Sequence, residues 1–138
     1  GARTFAHAVR PDVAIVVDVT HATDAPGIDE KENGSHPMGS GPVVERGSTI
    51  HPVVSERLIA AAEEAGIPHT LSASARFTGT DADAIHISRS GIPTGLISLP
   101  LRYMHSPVEL IQLDDVFNGA KLAAEFAQRL VAGTSFAR

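Results

Sequence analysis

At 138 residues, with 43% hydrophobic and 20% charged side chains, the chain has room for one ordinary globular domain and its core. A formal charge of −5 argues against nucleic acid or an anionic membrane as the main partner, and no apolar run approaches the roughly 20 residues of a membrane span. With no cysteine there are no disulfides or thiolate metal sites, which suits a reducing cytoplasm and leaves His, Asp and Glu to hold any metal.

Residues 1–9 lack an initiator Met and an apolar leader, and read like the middle of a helix entered partway. Through Arg10-Pro11 they lead into Val13-Ala14-Ile15-Val16-Val17-Asp18-Val19-Thr20. Five apolar residues in a row, mostly β-branched, predict a strand buried on both faces, as in a parallel sheet covered by helices. The rest of the chain is organised around this strand. The segment from Ala22 to Ser40 is rich in Gly, Pro and acids and predicts a long loop, a length usually tied to function or mobility. Residues 41–47 then read as a short strand between glycines.

Pro52 to Ala65 carries apolar residues at helical spacing and stops at Gly66-Ile67-Pro68, a glycine cap followed by a proline. His69 to Ala75 reads as a strand. A second helix opens at Gly79-Thr80-Asp81-Ala82-Asp83, with Thr80 as N-cap and Asp83 completing a weak capping box, and stops at Gly91-Ile92-Pro93. Residues 95–99 predict a further strand, Leu101 to Leu113 a loop, and Asp114 to Ala132 a terminal helix. This order is that of an α/β layered fold with a mostly parallel sheet.

Ligands of open α/β sheets bind beyond the carboxyl ends of the strands. Asp18 lies near the end of the first apolar strand, where an ionised carboxylate is costly to bury unless paired or bound to a metal. His105 follows the last strand and is expected at the same edge. Together they are ligand types for a divalent metal such as zinc, though two ligands do not make a site. The plain alternatives are a turn-capping Asp and a surface His. The Gly79-Thr80-Asp81 turn is also expected at that edge, either near the site or simply as a helix start. Asp24 either orients a neighbour of Asp18 or initiates the Ala25-Pro26-Gly27 turn, and Glu109 has the same two readings. His21, His36, His51, His69 and His86 are scattered and read as structural or exposed. No nucleophile or phosphate-loop motif occurs.

Residues 17–27, Gly41-Pro42-Val43, residues 79–85, Ile92-Pro93-Thr94 and Arg102-Tyr103-Met104-His105-Ser106-Pro107-Val108-Glu109 together resemble the glutamyl aminopeptidase/TET-type metallopeptidases, some of which carry an endoglucanase label. The resemblance runs through nearly the whole chain in order. It implies a three-layer α/β/α fold of the phosphorylase/hydrolase-like kind. It also implies a cytoplasmic, homo-oligomeric aminopeptidase that acts on peptides with two divalent ions, zinc or cobalt. Of the family's five ligands, the second Asp matches Asp18 and the last His matches His105, on different metals. The other three ligands and the general-base Glu belong upstream of Gly1, so residues 1–138 correspond to a C-terminal portion of the catalytic domain, without the inserted dimerisation domain. Asp24, Gly79, Thr80, Asp81 and Glu109 then fall around the ligands or the substrate pocket. Such a piece is expected to be inactive alone, and its 13–19 strand, missing its neighbours, to pair with another chain. Two rival readings are an endoglucanase-type glycosidase, which needs two opposed carboxylates, and a non-catalytic α/β module holding a small ligand at the Asp18/Gly79/His105 edge.

Overall fold

The computed structural model describes residues 1–136. Its strands are β1 (Ala14–His21), β2 (Val43–Gly47), β3 (Thr70–Ser74), β4 (Thr94–Arg102) and β5 (Leu110–Ile111). The helices are α1 (Ala2–Val9), α2 (Glu30–Asn33), α3 (Pro52–Glu64), α4 (Ala82–Ile85) and α5 (Leu113–Gln128). The sheet order is β1-β4-β2-β3, with β5 added beside the end of β4.

Parallel ladders dominate by length: eight residue pairs join β1 to β4 and five join β2 to β3. The two halves meet along a short antiparallel seam, Val43 opposite Ser98 and Val44 opposite Ile97. The sheet is therefore mixed. Strands β2 and β3 run against β1 and β4.

Alternation along the strands sorts side chains into two cores on opposite faces. Ile97 joins Val44, Leu58, Ala62, Leu122 and Phe126 under α3 and α5, with Ile15 packed against them. Leu96 and Val16 instead join Ile50 and Ala82 of α4. Helices thus cover both faces. The strand buried on both faces is β4, not β1 as expected: β4 is almost wholly buried, while Val17 of β1 is 55% exposed. The reason is position. Among the described residues β1 pairs only with β4 and lies at the sheet margin. Gly95 lets α3 lie close on β4, since a Cβ there would sit 2.6 Å from Val54 Cγ1.

The first Gly-Ile-Pro stop works as expected. Gly66 takes a left-handed φ of 62°, and Ile67 donates to the Ala62 carbonyl at 2.8 Å. Upstream of the second, the helix is only four residues long. The Ser88 hydroxyl and the His86 ring bond back to the Ala84 and Ala82 carbonyls, and Arg89 takes a φ of 58°. Strand β4 continues past Pro100, which removes one donor but leaves the Leu101 carbonyl to accept from Ala22 at 2.9 Å. The expected 101–113 loop is therefore shortened, and β5 within it pairs back on β4 through Leu101–Ile111 and Arg102–Leu110. The last helix runs Leu113–Gln128, ending short of Ala132.

Residues 22–40 are an ordered excursion. Thr23 and His36 are buried and stitched together, Thr23 N–H to the His36 carbonyl at 3.1 Å and His36 N–H to Thr23 Oγ1 at 2.8 Å. The His36 ring meets Thr70 Oγ1 of β3 at 2.8 Å through Nδ1. Asp115, fully buried in the first turn of α5, closes the loop from below. Its oxygens accept the N–H groups of Gly39 at 2.7 Å and Gly41 at 2.8 Å.

Candidate metal-ligand edge

Because β1 and β4 are parallel neighbours, their carboxyl ends leave the sheet side by side. Asp18 sits in the ladder opposite Ser98, three residues before the end of β1 at His21. It is half-buried, so it escapes full desolvation, and its Oδ1 accepts the Val19 N–H at 2.8 Å. His105 stands exposed on the turn three residues beyond the end of β4. Both therefore lie toward the carboxyl-terminal side of this parallel pair, with Asp18 inside its strand rather than at its end and His105 beyond the end of the other.

Gly79-Thr80-Asp81 does not join them. That turn follows β3, which runs opposite to β4, so it leaves the sheet from the other edge. There it starts the helix, though Asp81 rather than Thr80 stands at the N-cap and Asp83 bonds back to residues 78 and 79 instead of closing a capping box on Thr80. Gly79 takes a φ of 74°, Thr80 Oγ1 accepts the Ala82 N–H, and Asp83 holds Thr78 and the Gly79 N–H. The Asp83 carboxyl lies below its ordinary range; burial opposes that shift, and the bonds from Thr78 and Gly79 outweigh it. Asp81 itself is exposed.

Asp24 has a clear partner. Its carboxylate takes both guanidinium arms of Arg102, Nε to Oδ1 at 3.3 Å and Nη2 to Oδ2, and accepts the Met38 N–H at 3.2 Å. The Arg102 bond holds the Asp24 carboxyl below its usual value. This bidentate pair ties the segment after β1 to the end of β4, directly below the His105 turn. Arg102 belongs to the 102–109 motif, yet nothing in the sequence assigns it this partner. An Arg at a strand end paired with a distant Asp leaves no local pattern.

Within the turn, Tyr103 and His105 both have left-handed backbones, with φ of 61° and 63°. Two non-glycine residues in that region within three positions represent stored strain, a feature concentrated at functional sites. Glu109 Oε1 accepts the His105 N–H at 2.7 Å.

Among the described residues, no three His, Asp or Glu side chains gather closely enough to hold a metal ion. The donor types of Asp18 and His105 fit a divalent ion, but their number does not close a site within this chain. His36 and His51 are buried rather than at this edge, in line with their structural reading.

A mixed sheet covered by helices on both faces, with Asp18 inside one strand and His105 on the turn after its parallel neighbour, defines a layered α/β domain. The chain belongs to the M42 glutamyl aminopeptidase family, whose model matches residues 1–122. It is 38% identical over 130 residues to the lysyl aminopeptidase of Pyrococcus furiosus, covering 94% of this chain and 37% of that protein. The TET aminopeptidase of a marine-sediment Thaumarchaeota archaeon superposes with a TM-score of 0.87 at 39% identity, over 96% of this chain and 37% of that one. A TET peptidase with a dodecamer in its asymmetric unit matches with a TM-score of 0.74 at 26% identity, over 94% of this chain and 38% of that one. The chain thus spans less than two fifths of the length of these relatives.

Proposed function

We propose that this chain forms the C-terminal portion of a metal-dependent aminopeptidase and supplies Asp18 and His105 to its dinuclear centre, one to each ion. The observation that carries this reading is the parallel β1–β4 pairing, which brings the two residues matching family ligands toward the carboxyl-terminal side of one strand pair. The remaining three ligands and the general-base carboxylate lie outside residues 1–138 in this reading. The ions are zinc or cobalt, and when bound they acidify a water and polarise a peptide carbonyl. The chain's own residues hold and aim. Asp18 offers its half-buried carboxylate, the Asp24–Arg102 pair ties the segment after β1 to the end of β4, and His105 stands on the exposed turn that follows Arg102. Substrates are peptides with a free amino terminus. The working form is a homo-oligomer, as in the dodecameric TET relative, and is cytoplasmic, consistent with a chain that contains no cysteine.

The test uses the full-length protein. His105→Ala or Asp18→Ala should remove most chelator-sensitive hydrolysis of peptide anilides and reduce metal content below two ions per subunit. Full activity with two ions bound in either variant would refute the ligand assignment. Turnover on cellulose that survives chelator, with none on anilides, would establish the glycosidase reading instead. Residues 1–138 alone should show no anilide hydrolysis even in millimolar zinc or cobalt; chelator-sensitive turnover there would mean a complete site assembles from this chain.

A further inference from the structure

The structure assigns Glu109 as the positioning residue that fixes the backbone of His105 and so aims its imidazole. This inference rests on the reading of His105 as a metal ligand. A left-handed backbone at a non-glycine residue is uphill and persists only where its surroundings impose it. His105 has this conformation on an exposed turn, without core packing to impose it. Its amide N–H instead donates to Glu109 Oε1 at 2.7 Å, a short, charge-assisted bond.

Glu109 is well placed to impose that conformation. It immediately precedes β5, whose ladder to β4 pairs Leu110 with Arg102. The turn from Tyr103 to Glu109 therefore begins and ends on paired strands. Arg102, at the base of the turn, is held by Asp24, and the Ser106 N–H donates to the Tyr103 carbonyl at 3.1 Å. Within this frame the Glu109 side chain reaches back four residues and pins the His105 peptide. With that peptide held, the Cα–Cβ direction of His105 is set, and its ring has little more than its own two torsions left to adjust. A metal ligand held in this way binds before the metal has to order it.

The experiment compares Glu109→Ala, Glu109→Gln and His105→Ala in the full-length protein. The readouts are zinc affinity by chelator competition, hydrogen exchange at the His105 amide, and the midpoint of global unfolding. Glu109→Ala should weaken zinc binding about 10–100-fold, the usual range for losing a group that orients a ligand. It should also raise exchange at His105 and leave the unfolding midpoint near wild type. Glu109→Gln should restore most of both, because its amide oxygen still accepts the N–H. The proposal is overturned if Glu109→Ala keeps wild-type zinc affinity and His105 protection while His105→Ala loses zinc. It is also overturned if Glu109→Gln loses zinc as fully as Glu109→Ala with His105 still protected, for the carboxylate would then act on the metal itself. If His105→Ala keeps wild-type zinc affinity, the ligand reading fails, and exchange at His105 still decides whether Glu109 holds the turn.

Discussion

Asp115 offers the sharpest test of how the fold holds its long loop. It is fully buried, and its two oxygens accept the N–H groups of Gly39 and Gly41. Truncation to Ala removes both acceptors at once. Gly41 is buried, so its orphaned N–H carries a desolvation penalty of about 1–3 kcal/mol. Gly39 is exposed, so water replaces its partner and the loss there is about 1 kcal/mol. Relieving the buried carboxylate offsets part of this, which leaves a net cost of about 1–3 kcal/mol. Asp115→Asn keeps one acceptor but turns an NH2 toward the other N–H, so about half that cost is expected. With a urea m-value of about 1.5 kcal/mol/M, Asp115→Ala should lower the unfolding midpoint by about 0.7–2 M at unchanged m. A shift under about 0.3 M would refute the reasoning, because it would mean the two glycine N–H groups find water or other partners without strain. The same loop bears Met38, whose N–H rests on Asp24, so this variant should also loosen the Asp24–Arg102 pair.

Three further outcomes are expected. Burial holds the His36 imidazole below its ordinary value of 6.5, so the folded state takes up its proton later than the unfolded chain as pH falls. The stability His36 contributes is therefore complete above pH 6.5 and declines as pH falls toward the folded value, the nearby Asn33 carbonyl and Glu45 moderating the effect. Urea midpoints at pH 8 and pH 5 should differ more in the wild type than in His36→Gln; equal differences would contradict this. Gly95→Ala would place a methyl 2.6 Å from the stiff Val54 and 3.0 Å from Ile15 and Leu58, so thermal unfolding should show a loss of about 1–3 kcal/mol. A neutral or stabilising result would mean α3 lifts off β4 freely. Asp81→Asn, exposed at the opposite sheet edge, should leave zinc content intact and reduce anilide hydrolysis far less than His105→Ala; an equal loss would reveal a direct chemical role for Asp81.

Much of this architecture was legible locally because its signals act over a few residues. The β-branched run at 13–17, the apolar spacing of 52–65 and the Gly66-Ile67-Pro68 stop each specify backbone conformation within one or two turns, and each element formed where its residues placed it. The family resemblance likewise rests on short motifs, and those motifs contain Asp18, Asp24, His105 and Glu109. Strand direction and neighbours were another matter. Whether β3 runs with β4 or against it depends on the β2–β4 seam, formed by residues more than 50 positions apart, and that pairing moved Gly79-Thr80-Asp81 to the far edge. Burial on both faces went to β4 rather than β1 for the same reason: an apolar sequence qualifies a strand for the interior, but only its neighbours put it there. The ties that hold the 22–40 loop and the base of the His105 turn, Asp115 to Gly41 across 74 positions and Asp24 to Arg102 across 78, are long-range closures made by polar groups. Such closures carry no periodicity, so only the tertiary structure decides them.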